Sequence, residues 1–236
     1  MIKYSEKTVF FGGAGVSTES GIPDFRGDGG IYSEKYGVLF PEMIVSGTFL
    51  KREPEAFFDF YKEKLVFPNA QPNKAHISLA RLEAEGFISC VITQNIDGLH
   101  SAAGSKNVIE LHGSALRNYC TVCGKNYGMD DVLKLTGVPR CECGGMVRPD
   151  VTLFDEVLPK GAFERAACEC SESTFLIVAG TSLSVYPAAS LIGYAGGKTA
   201  LINLTETEAD GMADIVIHAR IGDVMDFVCR DILGGL

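Results

Sequence analysis

The most specific chemical pattern in the chain is a set of thiols in two close pairs: Cys120-x2-Cys123, then seventeen residues, then Cys141-x-Cys143. Each pair is followed by glycine, Gly124 and Gly144-Gly145, so a turn can aim consecutive sulfurs at one ion. Four thiolates suit tetrahedral zinc, and a site closed by four protein ligands has no open position for a substrate, which makes such a zinc structural. A redox pair at Cys120 and Cys123 is the rival reading, and it leaves Cys141 and Cys143 without a role. Cys168 and Cys170 lie two apart in an apparent helix and face different sides. With Cys90 and Cys229 they read as core or incidental thiols.

A second chemical stretch, GAGVSTESGIPDFRG at residues 13–27, follows the apolar run Val9-Phe10-Phe11. It has Thr18 where the G-x-G-x-x-G fingerprint needs its last glycine, which weakens an ordinary dehydrogenase. Small residues still let phosphate approach backbone N–H groups, and Ser17, Thr18 and Ser20 add hydroxyls; a plain strand-to-helix turn is the bland alternative. Thr93-Gln94-Asn95-Ile96-Asp97-Gly98-Leu99-His100 follows another apolar strand. Its polar side chains suit a nucleotide site at the carboxyl edge of a sheet, or a helix cap formed by Asp97. His112 ends the strand Val108-Ile109-Glu110-Leu111 and precedes Gly113, where a histidine can serve as general base near neutral pH or as a structural residue. His76, His100 and His218 have weaker claims.

The elements that must position these residues are legible as continuous apolar runs at 9–12, 87–93, 108–111, 175–180, 200–204 and 215–218, the pattern of buried parallel strands. Helical patterns lie between them. Asn73 caps one that carries Ala75, Leu79 and Leu82 and stops at Gly86, and a last helix carries Val224, Phe227, Val228 and Ile232. Strand alternating with helix predicts an α/β fold, a doubly wound, Rossmann-like parallel sheet with ligands at the carboxyl ends of its strands. Two stretches break the rhythm, the aromatic-rich residues 28–72 and the cysteine-bearing residues 117–149. The expected organisation is a nucleotide-binding domain of residues 1–27, 73–116 and 150–236, with a smaller lobe made of a helical insertion (28–72) and a zinc module (117–149).

With 236 residues, 46% of them hydrophobic and 22% charged, the chain has the composition of an ordinary globular protein able to bury a large core. A net charge of −9 disfavours nucleic acid as a partner and is compatible with basic peptides. The longest apolar runs, such as Phe175-Leu176-Ile177-Val178-Ala179, fall far short of the ~20 residues of a membrane span. Eight Cys without a secretory signal point to a reducing, cytoplasmic setting.

Taken together, Gly13-Ala14-Gly15-Val16-Ser17, Pro23-Asp24-Phe25-Arg26, Gln94-Asn95-Ile96-Asp97, His112-Gly113, the paired Cys and Gly180-Thr181-Ser182-Leu183 stand in the order and spacing of the sirtuin family of NAD-dependent protein deacylases. The resemblance covers residues 8–228 and is strongest to short prokaryotic members. It implies that Ala14, Gly15 and Thr18 line the diphosphate and ribose region, with Phe25 and Arg26 on the loop that closes over NAD. Gln94 and Asn95 would position the ribose and a water, Ile96 and Asp97 would bind the nicotinamide carboxamide, Thr181, Ser182 and Asn203 would hold the adenosine half, and Ile221 would lie near the adenine. His112 would accept a proton from a ribose hydroxyl, making His112 and Asn95 the catalytic pair. Residues 151–156, with Val151, Phe154 and Glu156, would pair with an extended acyl-lysine peptide by strand addition. Zinc would be held by Cys120, Cys123, Cys141 and Cys143, away from the reaction.

The family's products would be nicotinamide, O-acyl-ADP-ribose and free lysine. The same NAD site would also suit a protein mono-ADP-ribosyltransferase, or a non-catalytic NAD sensor. Two departures stand out. Phe154-Asp155-Glu156 replaces the common Phe-Gly-Glu, adding a charge beside the peptide groove that suits basic peptides, and the second Cys pair is C-x-C. The Tyr-x-x-Arg pair that resembles an acidic-acyl preference is missing from residues 28–72, so acetyl or a longer neutral acyl group is expected. The sequence is compatible with a monomer.

Overall fold

The computed structural model describes residues 1–25, 27, 30–31 and 40–234. Arg26 lies outside the described residues. Six strands, β1 (Thr8–Gly12), β2 (Cys90–Thr93), β3 (Val108–Glu110), β7 (Phe175–Ala179), β8 (Lys198–Asn203) and β9 (Ile215–His218), form one parallel sheet; β4 (Gly113–Cys120), β5 (Asn126–Gly128) and β6 (Val147–Val151) form a small antiparallel one. The large sheet is ordered β3-β2-β1-β7-β8-β9. Chain order reverses between β1 and β7, the crevice where doubly wound sheets bind their ligands.

Alternation along β1 explains why the sheet is covered on both sides. Phe10 joins Val91, Ile177 and Ile202 under Leu79 and Leu82 of α4 (Lys74–Ala84) and Met225, Cys229 and Ile232 of α8 (Ile221–Leu233). Val9 and Phe11 point the other way, onto Ala166 and Cys170 of α7 (Ala162–Glu172) and the 3-10 segment Ala188–Tyr194. No residue of β1 is exposed, as expected for a strand packed on both faces.

Asn73 caps α4 as its sequence predicts: its side chain accepts from the Ala75 amide at 2.9 Å, while its own N–H donates to His76 Nδ1 at 3.3 Å. The expected strand at 87–93 begins only at Cys90, because the N–H groups of Phe87 and Ile88 turn back onto the Leu82 carbonyl at 2.8 and 3.3 Å and close the end of α4. In α8, Met225 and Cys229 hold the buried positions, and Phe227 faces solvent with 67% of its surface exposed.

The crossover from β1 to β2 carries α1 (Pro41–Ile44), α2 (Gly47–Arg52), α3 (Pro54–Phe60) and a π-helical turn, Tyr61–Leu65. Their core of Ile44, Leu50, Phe57, Phe58 and Tyr61 also takes in Ala115 of β4, Val151 of β6 and Leu153. The smaller lobe is therefore a helical insertion sharing one core with the cysteine-bearing module, which adds α6 (Met129–Leu133); α5 (Leu99–Ala102) follows β2. Strands β4 and β6 run across the positions 116/117 and 149/150 at which the sequence breaks its rhythm, so both ends of the cysteine-bearing stretch lie inside strands of the small sheet. Among the described residues, no helix is long and apolar enough to cross a membrane.

Candidate active site at the carboxyl edge of the sheet

The loop after β1 is pressed against the loop after β7. Gly13 N–H donates to the Ala179 carbonyl at 3.1 Å and Gly15 N–H to the Gly180 carbonyl at 2.8 Å. A Cβ on Gly15 would lie 2.7 Å from Gly180 Cα, and one on Gly180 2.5 Å from the Val16 nitrogen; only bare backbone fits this approach. Thr181 and Asn203 exchange hydrogen bonds, Thr181 N–H to Asn203 Oδ1 and Asn203 Nδ2 to the Thr181 carbonyl, both 3.1 Å. Gln94 Nε2 donates to Thr181 Oγ1 at 2.9 Å, tying the ends of β2 and β7 together. Around this seam lie half-buried Ala14 and Gly15, exposed Thr18 and Ser182, and Ile221, the first residue of α8, whose side chain backs Gly180. Eight positions singled out in the sequence, Gln94 among them, thus meet on one edge.

A second cluster lies beside it. Ser17 Oγ donates to Asp97 Oδ2 at 2.6 Å and accepts from Asn95 Nδ2 at 3.0 Å. The other Asp97 oxygen accepts from the Leu99 amide at 2.9 Å, so Asp97 is both the turn residue before α5 and a member of the cluster. Each carboxylate oxygen retains a lone pair for an incoming amide. Ser17 is fully buried here and organises the cluster; the sequence marked it only as a hydroxyl donor in the loop, since its partners lie about eighty residues away. Ile96 and Phe25 are partly buried against the small-lobe core.

His112 Nδ1 lies 2.9 Å from the Gln94 carbonyl. A carbonyl only accepts, so Nδ1 carries the proton and Nε2 keeps its lone pair, the form a general base requires. Burial lowers the His112 pKa below its ordinary 6.5, partly offset by the bond to Gln94, so the ring is neutral at neutral pH. Gly113 follows at φ +74°, where a Cβ would overlap the Asp150 carbonyl; this turn lets the chain leave β3 and begin β4 at once. His76 and His100 lie away from that base, buried with ring centroids 4.6 Å apart; His218 pairs with Asp210 at 3.1 Å.

The segment after β6 is more committed than its sequence implies. Val151 pairs with Gly113 in the small sheet. Phe154 donates its N–H to the Val45 carbonyl at 2.9 Å and accepts from Gly47 N–H at 3.1 Å, leaving its side chain 37% exposed. Arg148 clasps Glu156 in a bidentate pair at 2.6 and 2.9 Å, and Glu156 Oε2 also accepts from the Leu153 amide at 3.0 Å. The Glu156 carboxylate therefore folds the segment back on itself. Asp155, though exposed, has a bonded carboxylate that accepts from the amides of Gly47 and Thr48 at 2.9 and 3.1 Å.

Cys120, Cys123, Cys141 and Cys143 come together with all four sulfurs within 4.8 Å of one another. Cys120 and Cys143 are 3.5 Å apart, and Cys123 and Cys141 3.6 Å. Zinc–thiolate bonds of about 2.3 Å at tetrahedral angles put sulfurs about 3.8 Å apart, so the cage fits zinc. The C-x-C spacing does not prevent closure, and the cage sits in the small lobe, apart from the edge that carries His112.

Comparison with known proteins bears on the whole chain. Residues 13–187 match the Sir2 family. An NAD-dependent protein deacetylase of Clostridium perfringens (strain 13 / Type A) is 54% identical over 229 residues, 95% of this chain and 94% of that protein. A solved Sir2 complex with deacetylated p53 peptide and 3′-O-acetyl-ADP-ribose superposes with a TM-score of 0.91 at 42% identity, covering 98% of this chain and 95% of that one. A complex of Sir2 with p53 peptide and NAD+ gives 0.87 at 41% identity, covering 99% and 95%.

Proposed function

Because the chain belongs to the Sir2 family, we propose that its active site removes acyl groups, acetyl first among them, from protein lysine in an NAD-dependent reaction. NAD, when bound, supplies the ribose carbon that takes the acyl oxygen and gives up nicotinamide. What carries the reading is that the Ser17–Asn95–Asp97 cluster and a neutral His112, bonded to the Gln94 carbonyl, follow β1, β2 and β3 along one carboxyl edge of the sheet, which reverses its strand order between β1 and β7.

The hydrogen bonds at the carboxyl edge of the sheet support the following division of roles. Ala14, Gly15, Thr18, Thr181, Ser182, Asn203 and Ile221 hold the dinucleotide along the β1–β7 seam, with Phe25 beside it. Asp97, held at both oxygens, accepts from the carboxamide N–H, and Ile96 bounds that pocket. Gln94 and Asn95 orient the ribose. His112 Nε2 takes a proton from a ribose hydroxyl. The peptide adds as a strand next to residues 151–156; since Phe154 is already paired, the peptide groups of Asp155 and Val157, which have no backbone partner among the described residues, are the ones it meets. Residues 1–27, 73–116 and 150–236 serve as the NAD-binding domain, with 28–72 and 117–149 as helical and zinc parts of the lobe. A reducing cytoplasm suits eight cysteines without a disulfide.

Incubation with NAD labelled in its adenylate tests the reaction type. A deacylase sends all label into small-molecule O-acyl-ADP-ribose, in step with peptide deacylated. Label that stays on protein would instead establish ADP-ribosyl transfer.

A further inference from the structure

The segment that meets the peptide is fastened to the helical insertion by three neighbouring contacts. Two are the backbone bonds of Phe154 to Val45 and Gly47. The third is the Asp155 carboxylate, whose Oδ1 accepts from Gly47 N–H and Oδ2 from Thr48 N–H. Ser46 Oγ accepts from the next amide, Phe49, at 3.1 Å, so Ser46 and Asp155 share the opening amides of α2 between them. Hydrogen bonding from the Thr48 side chain, and then from the two amides, holds the Asp155 carboxyl below its usual range, with Lys51 adding to the effect. There is no space to spare: a Cβ on Gly47 would come within 2.8 Å of Glu156 Oε1 and 3.0 Å of Asp155 Oδ1.

Asp155 adopts φ +68°, a backbone region that costs a side chain energy and that glycine enters freely. Asp tolerates it better than most residues when its carboxylate finds local partners. Here those partners lie 107 and 108 positions earlier in the chain, so the side chain brings a tertiary tie that glycine could not. The peptide group of Asp155 itself is free, one residue beyond the last bond to the insertion.

We infer that Asp155 is a positioning residue: its carboxylate latches the substrate-binding segment to the start of α2 and thereby fixes the direction in which the peptide groups at 155–157 are offered to an incoming substrate strand. The inference rests on the deacylase reading for its substrate, and not for the latch. It differs from direct recognition of basic peptides by Asp155, because the carboxylate acts through its bonds to the Gly47 and Thr48 amides, and its effect is then independent of the substrate's charge.

The test compares wild type, Asp155→Gly and Asp155→Asn on three acetyl-lysine peptides of equal length with basic, neutral or acidic flanks, reading nicotinamide release. Loss of a capping carboxylate corresponds to roughly a fivefold effect. In Asp155→Gly, KM should rise by about that factor on all three peptides alike, with kcat falling less. Asp155→Asn, which keeps one acceptor oxygen, should fall between. A penalty that tracks peptide charge would overturn the latch in favour of direct contact, and an unchanged KM would overturn it outright. Hydrogen exchange supplies a readout independent of turnover: the Thr48 amide, whose partner is the Asp155 carboxylate, should exchange faster in Asp155→Gly, and an equal rate would refute the latch. Wild-type protein that releases no nicotinamide with any peptide, yet shows that faster exchange, would sink the deacylase reading and leave the latch standing.

Discussion

His112 shows how a single bond assigns a chemical role. The Gln94 carbonyl can only accept, so it fixes the proton on Nδ1 and leaves Nε2 free. Burial favours the neutral ring and moves its pKa below 6.5. The base form is therefore complete at neutral pH and is lost as pH falls through that lowered value. A plot of kcat/KM against pH should show an acid limb with its midpoint below 6.5, and His112→Ala should abolish that limb while lowering turnover by about 10²- to 10⁴-fold in a folded protein. Wild-type activity with its acid limb above 7 would contradict the assignment. The sequence placed His112 at the right edge, because a strand ending in His-Gly is readable locally. Its tautomer was not readable, since it depends on the carbonyl of Gln94, eighteen positions away.

At the scale of elements, the two Cys pairs were legible from spacing alone, and the strands β4 and β6 explain why the cage matters beyond itself. They carry Ala115 and Val151 into the core shared with the helical insertion. Stripping zinc should release one ion per chain and lower the melting temperature, and Cys143→Ser should reproduce both effects; zinc content of zero in active, fully stable protein would contradict a structural cage. Helices α4 and α5 make a different prediction. His100 is buried against Phe10 and His76 against His100, with pKa values pushed down by burial to about 3 and about 4. Both are depressed relative to the unfolded chain, so between about 3 and 6.5 the unfolded state binds more protons, and stability is lost as pH falls below 6.5. Moving from pH 7 to pH 5 should cost on the order of 2 kcal/mol per histidine, read as a drop in unfolding free energy. A pH-independent unfolding free energy over that range would mean the two rings are not neutral and buried as found.

Across the whole molecule, the doubly wound order follows from apolar runs that the sequence displays openly, and the small lobe follows from the two stretches that interrupt them. What the sequence could not display are the ties that join distant segments. Ser17 to Asp97, Asp155 to Gly47 and Lys62 to the carbonyls of Leu135 and Gly137 span 73 to 108 positions. None has a local signature, because each partner alone is an ordinary polar residue in a loop or helix. Phe227 is the converse case: its spacing matches the apolar stripe of α8, yet Met225 and Cys229 fill the space against the sheet and leave the phenyl ring in solvent. The account as a whole stands on one reaction. The most direct test is mass spectrometry of an acetyl-lysine peptide incubated with the purified protein, with and without NAD. The acetyl group should be lost only with NAD, with nicotinamide and O-acetyl-ADP-ribose formed in equal amounts to the lysine exposed. An intact peptide in the presence of NAD, or deacetylation that proceeds equally without it, would contradict it.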